Sequence, residues 1–194
     1  MSNPTVGDVD LVGDETAGNI ARAALFAALM GAFSYVSFPY PLSPAPVTLQ
    51  VLGVFLAGLF LGPLWGGASM VLYLLAGAVG APVFSGGAAG IGVLLGPTGG
   101  YLLSYAVAAV VVGAIAHGGL RVGSIAETPV ARLLAAMVAA TVVIYGIGVP
   151  FLWWNLDMTL RTAVITGAAV FVPAEAAKMA AAVGIVKNDA IRAA

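Results

Sequence analysis

LLAAMVAATVVIYGIGV, residues 133–149, contains no charged residue and no alternation of polar with apolar positions. A strand crossing a bilayer alternates over segments of about 10 residues, so a run like this reads as a helix that is apolar on every side. AVAAVVVGAIA, residues 106–116, repeats the pattern. The whole chain agrees: of 194 residues 61% are hydrophobic and 8% charged, and the mean hydropathy is +1.08. That composition belongs to an integral membrane protein. Lipid-exposed backbone must satisfy its own hydrogen bonds, and a chain of this length has room for about six helices of roughly 20 residues each. The expectation is an all-α membrane protein with six transmembrane helices and a glycine-rich irregular outer loop between helices 3 and 4.

Proline and glycine mark the span ends. The first span runs from about Ile20 to Phe38 and closes at Pro39 and Pro41, because proline cannot continue a helix and restricts its predecessor. The second, Thr48 to Leu61, stops at Gly62-Pro63; the third, Leu64 to Val79, stops at Gly80-Ala81-Pro82. Both are short. The stretch 83–100 carries seven glycines in 18 residues, after which the fourth span covers Tyr101 to Ala116. The fifth covers Pro129 to Val149 and the sixth Leu160 to Val186, with Pro173 inside it. Residues 1–18, acidic and rich in small residues, read as a disordered tail without a cleaved signal. Residues 19–187 form the membrane domain and 188–194 a short cytoplasmic tail.

With six spans, one face receives Arg22, Arg121, Arg132, Lys187 and Arg192, and the other Arg161 alone. This asymmetry places both termini in the cytoplasm of a multi-pass cell-membrane protein. The outer face then holds three connections, at 39–47, 80–97 and 151–159. Trp153 and Trp154, with Tyr145 beside them, read as an aromatic interfacial anchor.

Cysteine is absent, which excludes disulfides and thiolate metal sites, and the single histidine, His117, excludes a multi-histidine cage. His117 borders Gly118-Gly119 at an inner helix end and is assigned no function. No cofactor is implied.

The charges that demand a reason are Glu175 and Lys178. Each costs about 2.5–3.5 kcal/mol at the centre of a membrane helix, and at i and i+3 they share one face. A self-neutralising pair that eases insertion is the bland reading. A polar site facing the bundle interior is the functional one, and it is favoured because two alanines would meet a structural need at lower cost. The glycine-rich stretch is interleaved with Val83, Phe84, Ile91, Val93, Leu94 and Leu95, so it reads as the wall or lid of a pocket more readily than as a solvated loop. Interrupted segments of this kind point to binding sites in transporters. In the first span Ala24, Ala28 and Ala32 form a small-xxx-small stripe, with Ala23, Ala27 and Gly31 on the adjacent one, that would let another helix approach closely.

PVTLQ at 46–50, PVFSGG at 82–87 and GPTGGYL at 96–102, in that order, resemble the BioY family, the biotin-binding S components of energy-coupling-factor transporters. VPAEAAK at 172–178 is similar to that family's Pro-x-Asp-x-x-Lys segment, with Glu175 in place of aspartate: the charge is kept and the arm is one methylene longer. Ser104 and Ala88-Ala89 also depart from the pattern, which bears on helix packing and loop shape. The resemblance covers roughly residues 20–187. It implies a subunit that captures biotin on the outer side and pairs with a transmembrane T component and two ABC-type ATPases.

Biotin offers two ureido N–H donors, a carbonyl, an apolar thioether ring and a carboxylate. Glu175 can accept a ureido N–H, and Lys178 can donate to either the carbonyl or the carboxylate. Gln50 and Thr48 add neutral polar groups, Tyr40 and Phe84 flat apolar walls, and Gly86 and Gly87 backbone that a ligand can approach. Ala24, Ala28 and Ala32 become the face for the T component. An S component for another vitamin and a stand-alone facilitator remain alternatives, although charges on one span argue against a continuous polar path. An enzyme is not expected: the spans hold no second deep carboxylate, metal cluster or nucleophile–histidine pair. The chain has no GxxxxGK[ST] motif, so ATP hydrolysis would come from a partner.

Overall fold

The computed structural model describes residues 13–188. Helix α1, Asp14–Tyr35, opens with two acidic residues in its first turn, where carboxylates complement the exposed N–H groups. Residues 14–18, read above as tail, are therefore helical, and 1–12 lie outside the described residues. The helix stops three residues short of Phe38, because Ser37–Phe38 (β1) pairs antiparallel with Val47–Thr48 (β2) across the proline-rich loop.

Helix α2, Gln50–Ala78, is two antiparallel arms. Gly62 at the junction has φ 74 and ψ −176, a backbone state open to glycine, and Pro63 next to it withholds a helical N–H. In a straight helix Gln50 and Tyr73 would stand roughly 35 Å apart. Here the Gln50 Nε2 donates to Tyr73 Oη at 2.6 Å. The arms touch so closely that a Cβ on Gly66 would lie 2.9 Å from the Ala57 carbonyl oxygen. Five helical segments are long and apolar enough to cross a membrane, with Gln50–Ala78 counted as one and Leu160–Lys187 as one. The turn at Gly62 divides the first of these into the two short spans expected from Gly62-Pro63.

The segment after α2 contains a 3-10 turn at Ser85–Gly87 and a five-residue helix α3, Ile91–Leu95. Helix α4, Gly99–His117, ends at left-handed Gly118. Helix α5, Val130–Leu156, continues through Pro150 and ends at Asp157, which has φ 47. The expected outer connection at 151–159 is thus mostly helix, and Trp153 and Trp154 occupy its last turns with 44% and 83% exposure, as suits an interfacial anchor.

The sixth span is broken. Helix α6, Leu160–Gly167, is capped by Thr159, whose side chain accepts from the Thr162 N–H. The chain leaves helical geometry at Ala168 and resumes after a 3-10 turn as α7, Val172–Lys187. Pro173 explains the restart. Inside a continuous helix it would clash with the carbonyl four residues back, whereas in a first turn its missing N–H costs nothing.

With lipid on the outside there is no hydrophobic drive between helices, and close packing holds them instead. Helix α2 is the centre, with 78% of its most apolar window buried against 17% for α1. Phe55, Leu59, Met70, Val112, Leu133 and Met137 are fully enclosed around it. At one end of the bundle, His117 Nδ1 accepts from the Gly123 N–H while Nε2 faces the Leu59 carbonyl at 3.0 Å. Lys187 Nζ donates there to the carbonyls of Ala126 and Thr128, both at 2.7 Å. The other end gathers residues 36–49, 79–98 and 157–171.

Candidate substrate-binding site

The helix restart at Val172 places Glu175 in the first turn of α7, the end at which the helix dipole favours a carboxylate. Lys178 follows one turn later, and its Nζ lies 2.8 Å from Glu175 Oε1. Both residues are buried, at 4% and 7% exposure. Burying an ion pair carries a desolvation cost that good geometry only partly offsets, and this pair is left incomplete, since Glu175 Oε2 is buried without a hydrogen-bond partner.

Across from α7, the end of β2 and the start of α2 contribute Thr48 and Gln50. Thr48 Oγ1 accepts the Gln50 backbone N–H at 3.3 Å and meets Gln50 Oε1 at 3.0 Å. Between these groups lies a cavity of about 310 Å³, at the small end of the ~300–1,000 Å³ range of ligand pockets. Its walls include Phe84, Tyr101, Tyr105, Tyr145 and Phe171, and Pro44, Ala45 and Pro46 reach it from the proline-rich loop. Tyr145 stacks on Phe171 at 6.5 Å, and Tyr101 meets Tyr145 edge-on at 6.1 Å. Tyr101 Oη also donates to the Gly167 carbonyl at 2.8 Å, tying α4 to the end of α6.

Of the residues expected at the site, Glu175, Lys178, Gln50, Thr48 and Phe84 line this cavity together. Tyr40, Gly86 and Gly87 do not. Tyr40 packs on the far side of Phe171, with ring centroids 5.7 Å apart, and its hydroxyl donates to the Val170 carbonyl at 3.3 Å. It fastens the proline-rich loop to the helix break instead of forming a wall. Gly86 and Gly87 have φ of 70 and 77, which closes the 3-10 turn and leaves Phe84 and Ser85 to face the cavity.

Tyr145, read as part of an interfacial anchor, turns inward. Tyr101 and Tyr105 were missed; their i, i+4 spacing in GYLLSYA puts them on one helix face and was the available signal. On α1, Ala24, Ala28 and Ala32 are all exposed, whereas Ala23, Met30 and Gly31 are buried. Among the described residues no group of His, Asp and Glu is arranged to hold a metal ion.

A family model described as the BioY family matches residues 7–193. The chain is 36% identical over 165 residues to the biotin transporter BioY of Thermotoga maritima, an alignment covering 75% of this chain and 92% of that one. It is 36% identical over 172 residues to the probable biotin transporter BioY of Pyrococcus horikoshii, covering 89% and 96%. A crystal structure at 2.1 Å of the S-component for biotin from an ECF-type ABC transporter shares the fold, with a TM-score of 0.80 at 24% identity over 91% of this chain and 93% of that one.

Proposed function

The chain belongs to the BioY family, and from that premise we propose that it is the substrate-binding subunit of a biotin importer. It is a transport component and not an enzyme. The observation that carries the reading is the buried Lys178–Glu175 pair facing an aromatic-walled cavity with one carboxylate oxygen unpartnered. A ureido N–H is a donor of the right kind for that carboxylate, and Lys178 has donors left for the ligand's carbonyl or carboxylate. The bicyclic ring system would lie among Phe84, Tyr145 and Phe171, with Gln50 and Thr48 supplying neutral hydrogen bonds. Tyr40, Gly86 and Gly87 would act indirectly, through the loop and turn that close the cavity.

The energising partners in this proposal are a transmembrane T component and two ABC-type ATPases. The exposed Ala24, Ala28 and Ala32 face of α1 is the surface offered to the T component, since small side chains allow close helix approach. In this proposal the cavity end faces outward in the cell membrane and both termini lie in the cytoplasm, a reading that the distribution of Arg and Lys supports.

Equilibrium dialysis of detergent-purified protein against labelled biotin, with riboflavin and thiamine as competitors, tests the reading. Saturable biotin binding that neither competitor displaces is expected. Absence of saturation at micromolar biotin in folded protein would overturn it.

A further inference from the structure

Tyr73 lies on the second arm of α2, outside the cavity lining and 1% exposed, yet it touches two residues that form the wall. Its hydroxyl receives the Gln50 Nε2 at 2.6 Å, and its ring meets Phe84 edge-on with centroids 5.5 Å apart. Thr48 Oγ1 accepts the Gln50 backbone N–H and donates its own proton to Gln50 Oε1 at 3.0 Å. That turns Nε2 toward Tyr73 and makes the tyrosine hydroxyl an acceptor.

We infer that Tyr73 is a positioning residue which, by holding Gln50 Nε2, fixes the donor and acceptor that Gln50 presents to the ligand. A primary amide has two N–H groups and two carbonyl lone pairs. With Thr48 and Tyr73 each engaging one, a single donor and a single acceptor remain for the cavity, in a fixed order. That pair complements a ligand group carrying an N–H beside a C=O, as a cyclic urea does. Without the tyrosine hydroxyl the amide keeps only its bond to Thr48, a hydroxyl that can donate or accept, and one of the two contacts that oppose its rotation is lost. The inference rests on the biotin reading for its ligand and not for the hydrogen bond itself.

The test is a double-mutant cycle of Tyr73→Phe and Gln50→Met, which preserve ring and side-chain length, read in two ways. By biotin dialysis, Tyr73→Phe should weaken binding roughly five- to tenfold, the equivalent of one neutral hydrogen bond, and should add no further loss in the Gln50→Met background. An equal loss in both backgrounds would mean that the tyrosine acts through the Phe84 wall, and no loss at all would mean that it does not act; either overturns the inference. By thermal unfolding of ligand-free protein, the two midpoint drops should be sub-additive, because the second change relieves a group the first has orphaned. If the unmodified protein binds no biotin, the functional reading falls on its own. The ligand-free cycle then decides the positioning role, with additive drops refuting it.

Discussion

Removing one member of the Lys178–Glu175 pair should harm the protein more than removing both charges. In Lys178→Met, Glu175 loses the ammonium that neutralises it and the 2.8 Å hydrogen bond to Oε1. An uncompensated charge at 4% exposure costs about 3–5 kcal/mol, whereas replacing both partners with neutral residues of similar volume is often near-neutral. The ligand-free double variant Glu175→Gln/Lys178→Met should therefore unfold closer to the unmodified protein than Lys178→Met does. Binding adds a separate loss. Each charged group that meets biotin contributes about 1.5–3 kcal/mol, so each single variant should bind roughly 10- to 150-fold more weakly. The double variant should lose less than the two combined, since neither residual charge is left buried. Thermal unfolding and equilibrium dialysis on the four proteins supply both cycles. Additive losses in both would refute the argument, placing the residues in independent interactions despite their 2.8 Å contact.

Two further outcomes are expected. Gly66→Val should destabilise the fold by about 1–3 kcal/mol through overpacking, since its Cβ would meet the Ala57 backbone at 2.9 Å; an unchanged unfolding midpoint would show that the α2 arms can separate freely. Ala28→Leu should leave biotin binding by the isolated protein intact while abolishing uptake in cells, because the added bulk projects from an exposed position of α1. Equal impairment of binding and uptake would make the stripe internal packing of this chain, and impairment of neither would leave it facing lipid.

The parts of the fold that were legible in the sequence are those governed by backbone chemistry. Gly62-Pro63, Gly80 and the proline cluster after Tyr35 each end a helix for reasons that hold whatever surrounds them. Pro150 and Pro173 behave less simply. A proline in a membrane helix is tolerated when neighbouring groups satisfy the freed carbonyl, so α5 runs through Pro150, while the break near Pro173 begins five residues earlier at Ala168. The charged pair announced itself because it is costly in an apolar run. Tyr73, Tyr101, Tyr105 and Tyr145 did not, because their helices are apolar on every side and carry no periodicity to tell the inward face from the lipid face. Which tyrosine lines the cavity and which stands behind it depends on how α2, α4 and α5 pack.

The short spans also account for the depth of the site. Gly62, His117 and Lys187 mark the same end of the bundle: His117 bonds near the α2 turn at Leu59, and Lys187 bonds the α4–α5 connection. From that end, twelve residues separate Gly62 from Gln50, His117 from Tyr105, and Lys187 from Glu175. At 1.5 Å per residue all three side chains stand about 18 Å from that end, a distance shorter than the roughly 30 Å that a hydrocarbon core spans. At that level the first arm of α2 has just begun and α7 has one turn behind it, with α6 continuing the sixth span beyond the break. The proline-rich loop and the glycine-rich segment reach the cavity there through Pro44, Ala45, Pro46, Phe84 and Ser85. A cavity bounded by these helix ends and loops is a place where a buried carboxylate and ammonium can gain hydrogen bonds from a polar ligand that lipid could never supply.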